Sequence, residues 1–204
     1  MNNPYENIDK QLIQLKREVQ KEFNKTRLRL LGFDETNLLK NTKNEIKRLY
    51  QKIADKTVKM YFTNAKELYH GLTKSVLNEW LDAYYIVTGY VFYNEFLRKQ
   101  ARYYETIMSF VNEKKSLSNA DVIKAQKRAV NLLNGQIEDY AIYVMDNANL
   151  EQLRIDGYKK VRWITQKDEF VCEKCSSKNN EVYDIDKAPP KEHNYCRCYY
   201  VGVK

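Results

Sequence analysis

Glycine and proline are scarce in this chain of 204 residues, with six and three copies. That scarcity excludes an all-β domain built on frequent tight turns and favours long helices. No apolar run approaches the roughly 18–20 residues needed to span a bilayer, so no membrane segment is expected. The opening Met1-Asn2-Asn3-Pro4-Tyr5-Glu6-Asn7 lacks the basic-then-apolar layout of a signal peptide,. The expectation is a soluble chain made in the cytoplasm, where thiols stay reduced. No run of five like charges occurs, and Lys and Arg are mixed with Glu and Asp in every segment. The net charge of +8 therefore reads mostly as solvated helix faces, and it permits a polyanion partner without requiring one. A Gly-rich phosphate loop, a Ser-His-Asp set and a paired-His helix motif are all missing.

Cysteine is absent from the first 171 residues and then appears four times between Cys172 and Cys198. One of the two histidines, His193, falls in the same 27-residue window. The pattern is Cys172-x-x-Cys175, then His193-x-x-Cys196-x-Cys198. Four thiols and an imidazole gathered this tightly serve a metal site or disulfides. In a reducing compartment the expectation is zinc.

Upstream of this window the reading is helical. Ile8, Leu12, Leu15, Val19 and Phe23 step by four and three along a segment of about Glu6 to Leu31, with Gly32 as its stop. A second segment follows a cap at Asp34 or Thr36 and ends near His70-Gly71, as one long helix or two with a bend. Thr73 can cap a third, running through Trp80 and Tyr84 toward Phe110, with Gly89 marking a close approach or kink. Ser118 with Asp121 is a capping-type start. The helix it opens carries Val122, Ala125, Ala129 and Leu133, with a break at Gly135 allowed, and continues to about Asn147. A short last helix covers Leu150 to Ile155. The 17 tyrosines, several in pairs, read chiefly as packing residues whose hydroxyls stay wet.

After Gly157 the period changes to two. Val161, Trp163 and Thr165 alternate with Arg162, Ile164 and Gln166, and further strands are expected at Val182–Ile185 and Tyr199–Val203. Asn179-Asn180 is a good turn pair because asparagine tolerates positive φ. The fold class expected is mainly α: an elongated helical bundle over 1–157, then a small antiparallel β zinc-binding module over 158–204.

Structural zinc takes four sulfur or nitrogen ligands in a tetrahedron. Five candidates, Cys172, Cys175, His193, Cys196 and Cys198, compete for four places. Cys198 adjoins the final strand and is preferred to Cys196; alternatively, all four cysteines bind and His193 stays outside. Binding of roughly 10–16 kcal/mol would hold so small a module together. A surplus of ligands points to a closed structural site and away from an enzyme, since catalytic zinc keeps one position open. His70, remote in sequence, reads as a surface or capping residue. Asp168 reads as a turn-forming or ligand-supporting residue, and Pro190 stiffens the approach to His193.

At Trp163, Asp168, Cys172, Cys175, Pro190, His193 and Cys196-Arg197-Cys198 the chain resembles the phage head morphogenesis family, the minor head proteins similar to protein F of phage Mu. The likeness covers about residues 140–204 and lies in the order and spacing of these residues. Two departures stand out: one extra residue between Pro190 and His193, and Asn179-Asn180 where the family often has a glycine. The resemblance implies a virion structural role in the phage head, assembled in the host cytoplasm. It implies association with the portal protein or the inner capsid surface, in few copies, beside packaged DNA and with a role in head assembly or genome delivery; no small-molecule substrate is expected. The length is expected to leave no room for the toxin or protease domains some members carry. The rival reading is a zinc-dependent nucleic-acid-binding protein whose tail Lys and Arg contact phosphates. A metal-dependent hydrolase, with Asp168, Glu169 or His193 essential, is the third.

Overall fold

The computed structural model describes residues 5–33, 37–83, 91–114, 116–166, 171–191, 193 and 196–204. Among them the chain is mainly helical and closes with a three-stranded antiparallel sheet. Helix α1 (Glu6–Leu31) follows the stripe of Ile8, Leu12, Leu15, Val19 and Phe23, all of them buried. Helix α2 (Leu38–Leu68) runs 31 residues as a single element, without the bend allowed for it. Lys66 closes its end by donating from Nζ to the carbonyls of His70 and Leu72, at 2.6 and 2.8 Å. These bonds satisfy acceptors in the turn that follows the helix.

Thr73 caps α3 (Lys74–Ala83), its hydroxyl accepting from the Val76 amide at 3.2 Å,. The segment expected to run toward Phe110, with a close approach or kink at Gly89, is divided. Val91 is not helical, and α4 spans Phe92–Lys114. Tyr84 and Gly89, where the kink was expected, lie outside the described residues, as do the alternative caps Asp34 and Thr36.

Helix α5 (Asn119–Ile155) opens with a reciprocal cap between Ser118 and Asp121 and runs 37 residues. It passes through Gly135, where a break was allowed, and past Asn147, where an end was expected. A glycine inside a helix costs about 1 kcal/mol. Burial of Leu133, Ile137, Ala141 and Val144 along one side outweighs that cost,. The helix stops at Gly157, whose φ of +83° is the left-handed conformation. The Gly157 amide donates to Arg154 O at 3.0 Å and the Tyr158 amide to Leu153 O at 3.1 Å, which is the paired bonding of a Schellman stop.

The chain divides into two compact units. One comprises Leu12–Lys59 and Tyr84–Ile137. Its core includes Phe23, which meets Tyr50 and Tyr103 edge-on at 5.9 and 5.3 Å between ring centroids,. Ion pairs Lys52–Glu22 (2.8 Å) and Arg29–Glu45 (2.9 Å) join α1 to α2 at the surface. The other unit comprises Met1–Gln11, Met60–Ala83 and Glu138–Lys204. Here Leu150 and Leu153 of α5 pack against the buried face of the sheet.

In the sheet, β1 (Lys160–Ile164) lies between β2 (Val182–Asp184) and β3 (Tyr199–Val203), antiparallel to both. Val161 pairs with Tyr183 on one side and Gly202 on the other, and Trp163 pairs with Tyr200. Val161 and Trp163 are fully buried while Lys160 and Arg162 are exposed. This is the alternation that a half-buried strand requires. Asn180 takes a φ of 70°. Its amide donates to Trp163 O at 2.8 Å and the Trp163 amide donates to Glu181 O at 2.9 Å. The asparagine therefore performs the backbone role for which a glycine is the usual choice.

Candidate metal centre

Cys172 precedes a five-residue helix, α6 (Glu173–Ser177), and Cys175 lies inside it. The Cys172 side chain caps that helix: its Sγ accepts from the Cys175 amide at 3.4 Å. A thiol in this position is held by backbone, so Cys172-x-x-Cys175 presents two sulfurs from one turn. The short helix is what brings them round to one side. Cys196 and Cys198 arrive from the segment entering β3, and His193 from the segment between Pro190 and Cys196.

The five donors converge. The ligand atoms of Cys172, Cys175 and His193 all lie within 4.8 Å of one another, and so do those of Cys175, Cys196 and Cys198. Cys175 belongs to both sets. Its Sγ is 3.5 Å from His193 Nε2 and 3.6 Å from Cys196 Sγ. The four cysteines carry no disulfide. Cys175, Cys196 and Cys198 are buried, Cys172 is half-buried and His193 is exposed. This cluster can hold a metal ion.

Its electrostatics suit a cation. The Cys196 thiol is pushed down to about 5, chiefly by the hydrogen bond it receives from the Cys198 thiol, with the Lys191 charge assisting against burial. Cys172 is also lowered, first by the Cys175 amide. The remaining thiols move the other way. Burial is the main cause for Cys175, pushed up to about 12, and donation to Cys196 for Cys198. The two lowered thiols, Cys172 and Cys196, come from different arms of the cluster, and the thiolate is the form that ligates metal.

Trp163 lies directly beneath. It is fully buried in a cluster with Val161, Cys175, Ile185, Cys196 and Tyr200, and it meets Tyr200 edge-on at 5.4 Å. Pro190 is exposed, and its neighbour Pro189 accepts a hydrogen bond from the Tyr200 hydroxyl. Asp168 and Glu169 lie outside the described residues. His70 sits exposed in the turn after α2, with its carbonyl bound to Lys66.

Sequence reasoning missed the residues that fasten the cluster. Asn149 donates from Nδ2 to Tyr200 O at 2.9 Å, tying α5 to β3. Lys191 Nζ pairs with Asp146 Oδ1 at 3.1 Å and donates to the Cys198 carbonyl. Asp146 is buried, which raises its carboxyl, while Lys191 and the Tyr5 hydroxyl oppose that rise. Arg197 joins Asp9 and Glu138. Only Arg197 left a signal in the sequence, as the residue between the last two cysteines.

Comparison with family models, with curated proteins and with solved structures finds no match to this chain.

Proposed function

We propose that this chain is a minor head protein of a tailed phage, associating with the portal or inner capsid surface during head assembly, with a structural zinc ion in its C-terminal module. The carrying observation is the order of Trp163, Cys172-x-x-Cys175, Pro190, His193 and Cys196-Arg197-Cys198, a series whose sulfur and nitrogen donors form two close sets that share Cys175. Zinc fits the donors. With Zn–S of about 2.3 Å and Zn–N of about 2.0–2.1 Å, tetrahedral edges are about 3.8 Å between sulfurs and about 3.6 Å from sulfur to nitrogen. The separations of 3.6 Å for Cys175–Cys196 and 3.5 Å for Cys175–His193 agree with those edges. Cys172, Cys175 and His193 make one close set and Cys175, Cys196 and Cys198 the other, so the fourth place beside the first three falls to Cys196 or Cys198.

A structural role is supported by the surplus of donors, which leaves no place at the metal for a water molecule. Two of the tail's cations are withdrawn from the nucleic-acid reading: Lys191 and Arg197 are engaged by carboxylates of the chain itself, Asp146 and Asp9 with Glu138. Cations so engaged contribute little to phosphate binding.

The test is quantitative mass spectrometry of purified particles from the source, counting this chain against the portal subunit. A reproducible low copy number supports the reading. Absence both from mature particles and from assembly intermediates overturns it. Elemental analysis of the purified chain tests the metal separately: one zinc per chain is expected.

A further inference from the structure

The segment that carries His193, Cys196 and Cys198 also carries two cations, and neither is turned to solvent. The side chains of Lys191 and Arg197 are only 12% and 18% exposed. Arg197 sits between two of the candidate ligands. Its Nη2 lies 2.9 Å from Asp9 Oδ1 on α1 and 2.9 Å from Glu138 Oε1 on α5. Lys191 pairs with Asp146 on α5, and its Nζ stands 5.5 Å from the ring centre of Tyr5, 5.1 Å from Trp163 and 5.2 Å from Tyr200. Tyr5, immediately before α1, is fully buried and hydrogen-bonds to Asp146 through its hydroxyl. That hydroxyl is also 3.2 Å from the carbonyl oxygen of Cys198.

The first turn of α1 is therefore held by the ligand segment itself. Among the described residues from Lys191 to Cys198, none belongs to a helix or strand. These described residues are held by contacts of their side chains and of the Cys198 carbonyl, and not by a helix or sheet ladder,. If nothing gathers the donors, the segment loosens, and Arg197 and Lys191 leave their carboxylates. Asp146 would then be buried without a cation, and Glu138 would lose its partner. Removing one partner of a buried charge pair is strongly destabilising.

We infer that metal binding and docking of the chain's first helical turn, Tyr5–Asp9, are one coupled event, with Arg197 and Lys191 as the positioning residues that transmit it. The inference rests on the metal reading of the cluster but is independent of the phage role. Coupling of this kind is reciprocal: whatever factor the metal contributes to docking the turn, the docked turn contributes to metal affinity.

Two measurements on the full chain test it. Hydrogen–deuterium exchange compares the zinc-loaded protein with protein stripped by chelator under a thiol reductant. Amides of Asp9–Leu12 should exchange about tenfold faster or more without metal, within the usual range of coupling, while the α2 amides of residues 38–59 keep their rates. In parallel, zinc affinity is measured by competition with a chromophoric chelator. Arg197→Gln and the milder Asp9→Asn should each lower it, the former by about tenfold, the low end for residues that orient ligands. The cobalt-substituted absorption bands should stay in place, because the ligand set is intact. Glu18→Gln, which breaks the ion pair with Lys56 elsewhere on α1, should bind zinc like the parent. Identical exchange at Asp9–Leu12 with and without metal, or undiminished affinity in both Asp9→Asn and Arg197→Gln, overturns the coupling and leaves the metal site standing. A chain that takes up no metal overturns both.

Discussion

Cys175 Sγ lies 3.6 Å from Cys196 Sγ although 21 positions separate the two residues in sequence. The contact joins the two arms of the cluster, and Cys175 is the one donor shared by both sets of close ligand atoms. Its loss should therefore be the least tolerated. Cys175→Ser is expected to abolish stoichiometric metal uptake. Cys198→Ser, which leaves four donors, should retain one metal per chain with affinity reduced about 10–100-fold, as for loss of a ligand's supporting partner. Elemental analysis and cobalt absorption of the two variants check this. Equal metal content in both would remove Cys175 from its central place.

Metal removal should be felt first beneath the cluster. Cys175, Cys196 and Cys198 form one wall of the small core in which Trp163 is buried. Without the ion, so small a core lacks much of the free energy that folds it. In a Trp80→Phe background, which leaves Trp163 as the single tryptophan of the chain, chelation under reducing conditions should shift the fluorescence to the red. Helical circular dichroism should fall only slightly, because α4 and the first part of α2, residues 38–59, belong to the other compact unit. An unmoved Trp163 spectrum after complete stripping would show that the core stands without metal.

A pH effect is expected at Glu95 on α4, whose side chain is 8% exposed. Burial acts to raise its carboxyl, but hydrogen bonds from Arg98 and Lys99 at 2.6–3.0 Å outweigh burial and hold it below 4.5. The folded value lies beneath the unfolded one, so the stabilisation is complete above the unfolded value and disappears as pH falls through the folded one. Glu95→Gln should cost about 1–2 kcal/mol near neutral pH and little at a pH low enough to protonate the parent carboxyl in both states. Urea unfolding at both pH values measures this. A difference that does not shrink on acidification would assign the loss to packing.

The parts of this molecule that could be read from sequence are those whose cause is local. The stripe from Ile8 to Phe23 specified α1 because each residue repeats the geometry of the one before. The cysteine spacing specified a site because two intervening residues suffice to turn both thiols one way. Gly135 misled because its cost of about 1 kcal/mol is visible in sequence, whereas the burial of Leu133 and Ile137 that offsets it is not. The fastening of the cluster was invisible for the same reason. Arg197 reaches carboxylates 59 and 188 positions away, and nothing near Glu138 or Asp9 marks either as its partner. Tyr5 and Asp146, 141 positions apart, are likewise joined only by the fold.

The tightest steric demand in the sheet falls on Gly202. A Cβ built there would lie 2.5 Å from Cγ and Cδ1 of Tyr158, nearer than such atoms approach. Gly202 pairs with Val161 in the centre of the sheet, so the strand cannot retreat without disturbing β1. The ring must swing out instead, and Tyr158 is itself half-buried just after the helix stop at Gly157. Gly202→Ala should therefore destabilise the protein by about 1–3 kcal/mol, the range for forcing atoms into filled space. If the clash with Tyr158 is the cause, truncating that ring removes it. In the Tyr158→Ala background the same Gly202→Ala change should cost under about 0.5 kcal/mol, the difference being the coupling that a double-mutant cycle isolates. Denaturant midpoints for the four proteins of the cycle decide it. An undiminished cost in the truncated background would trace the need for glycine to the strand backbone and acquit the ring.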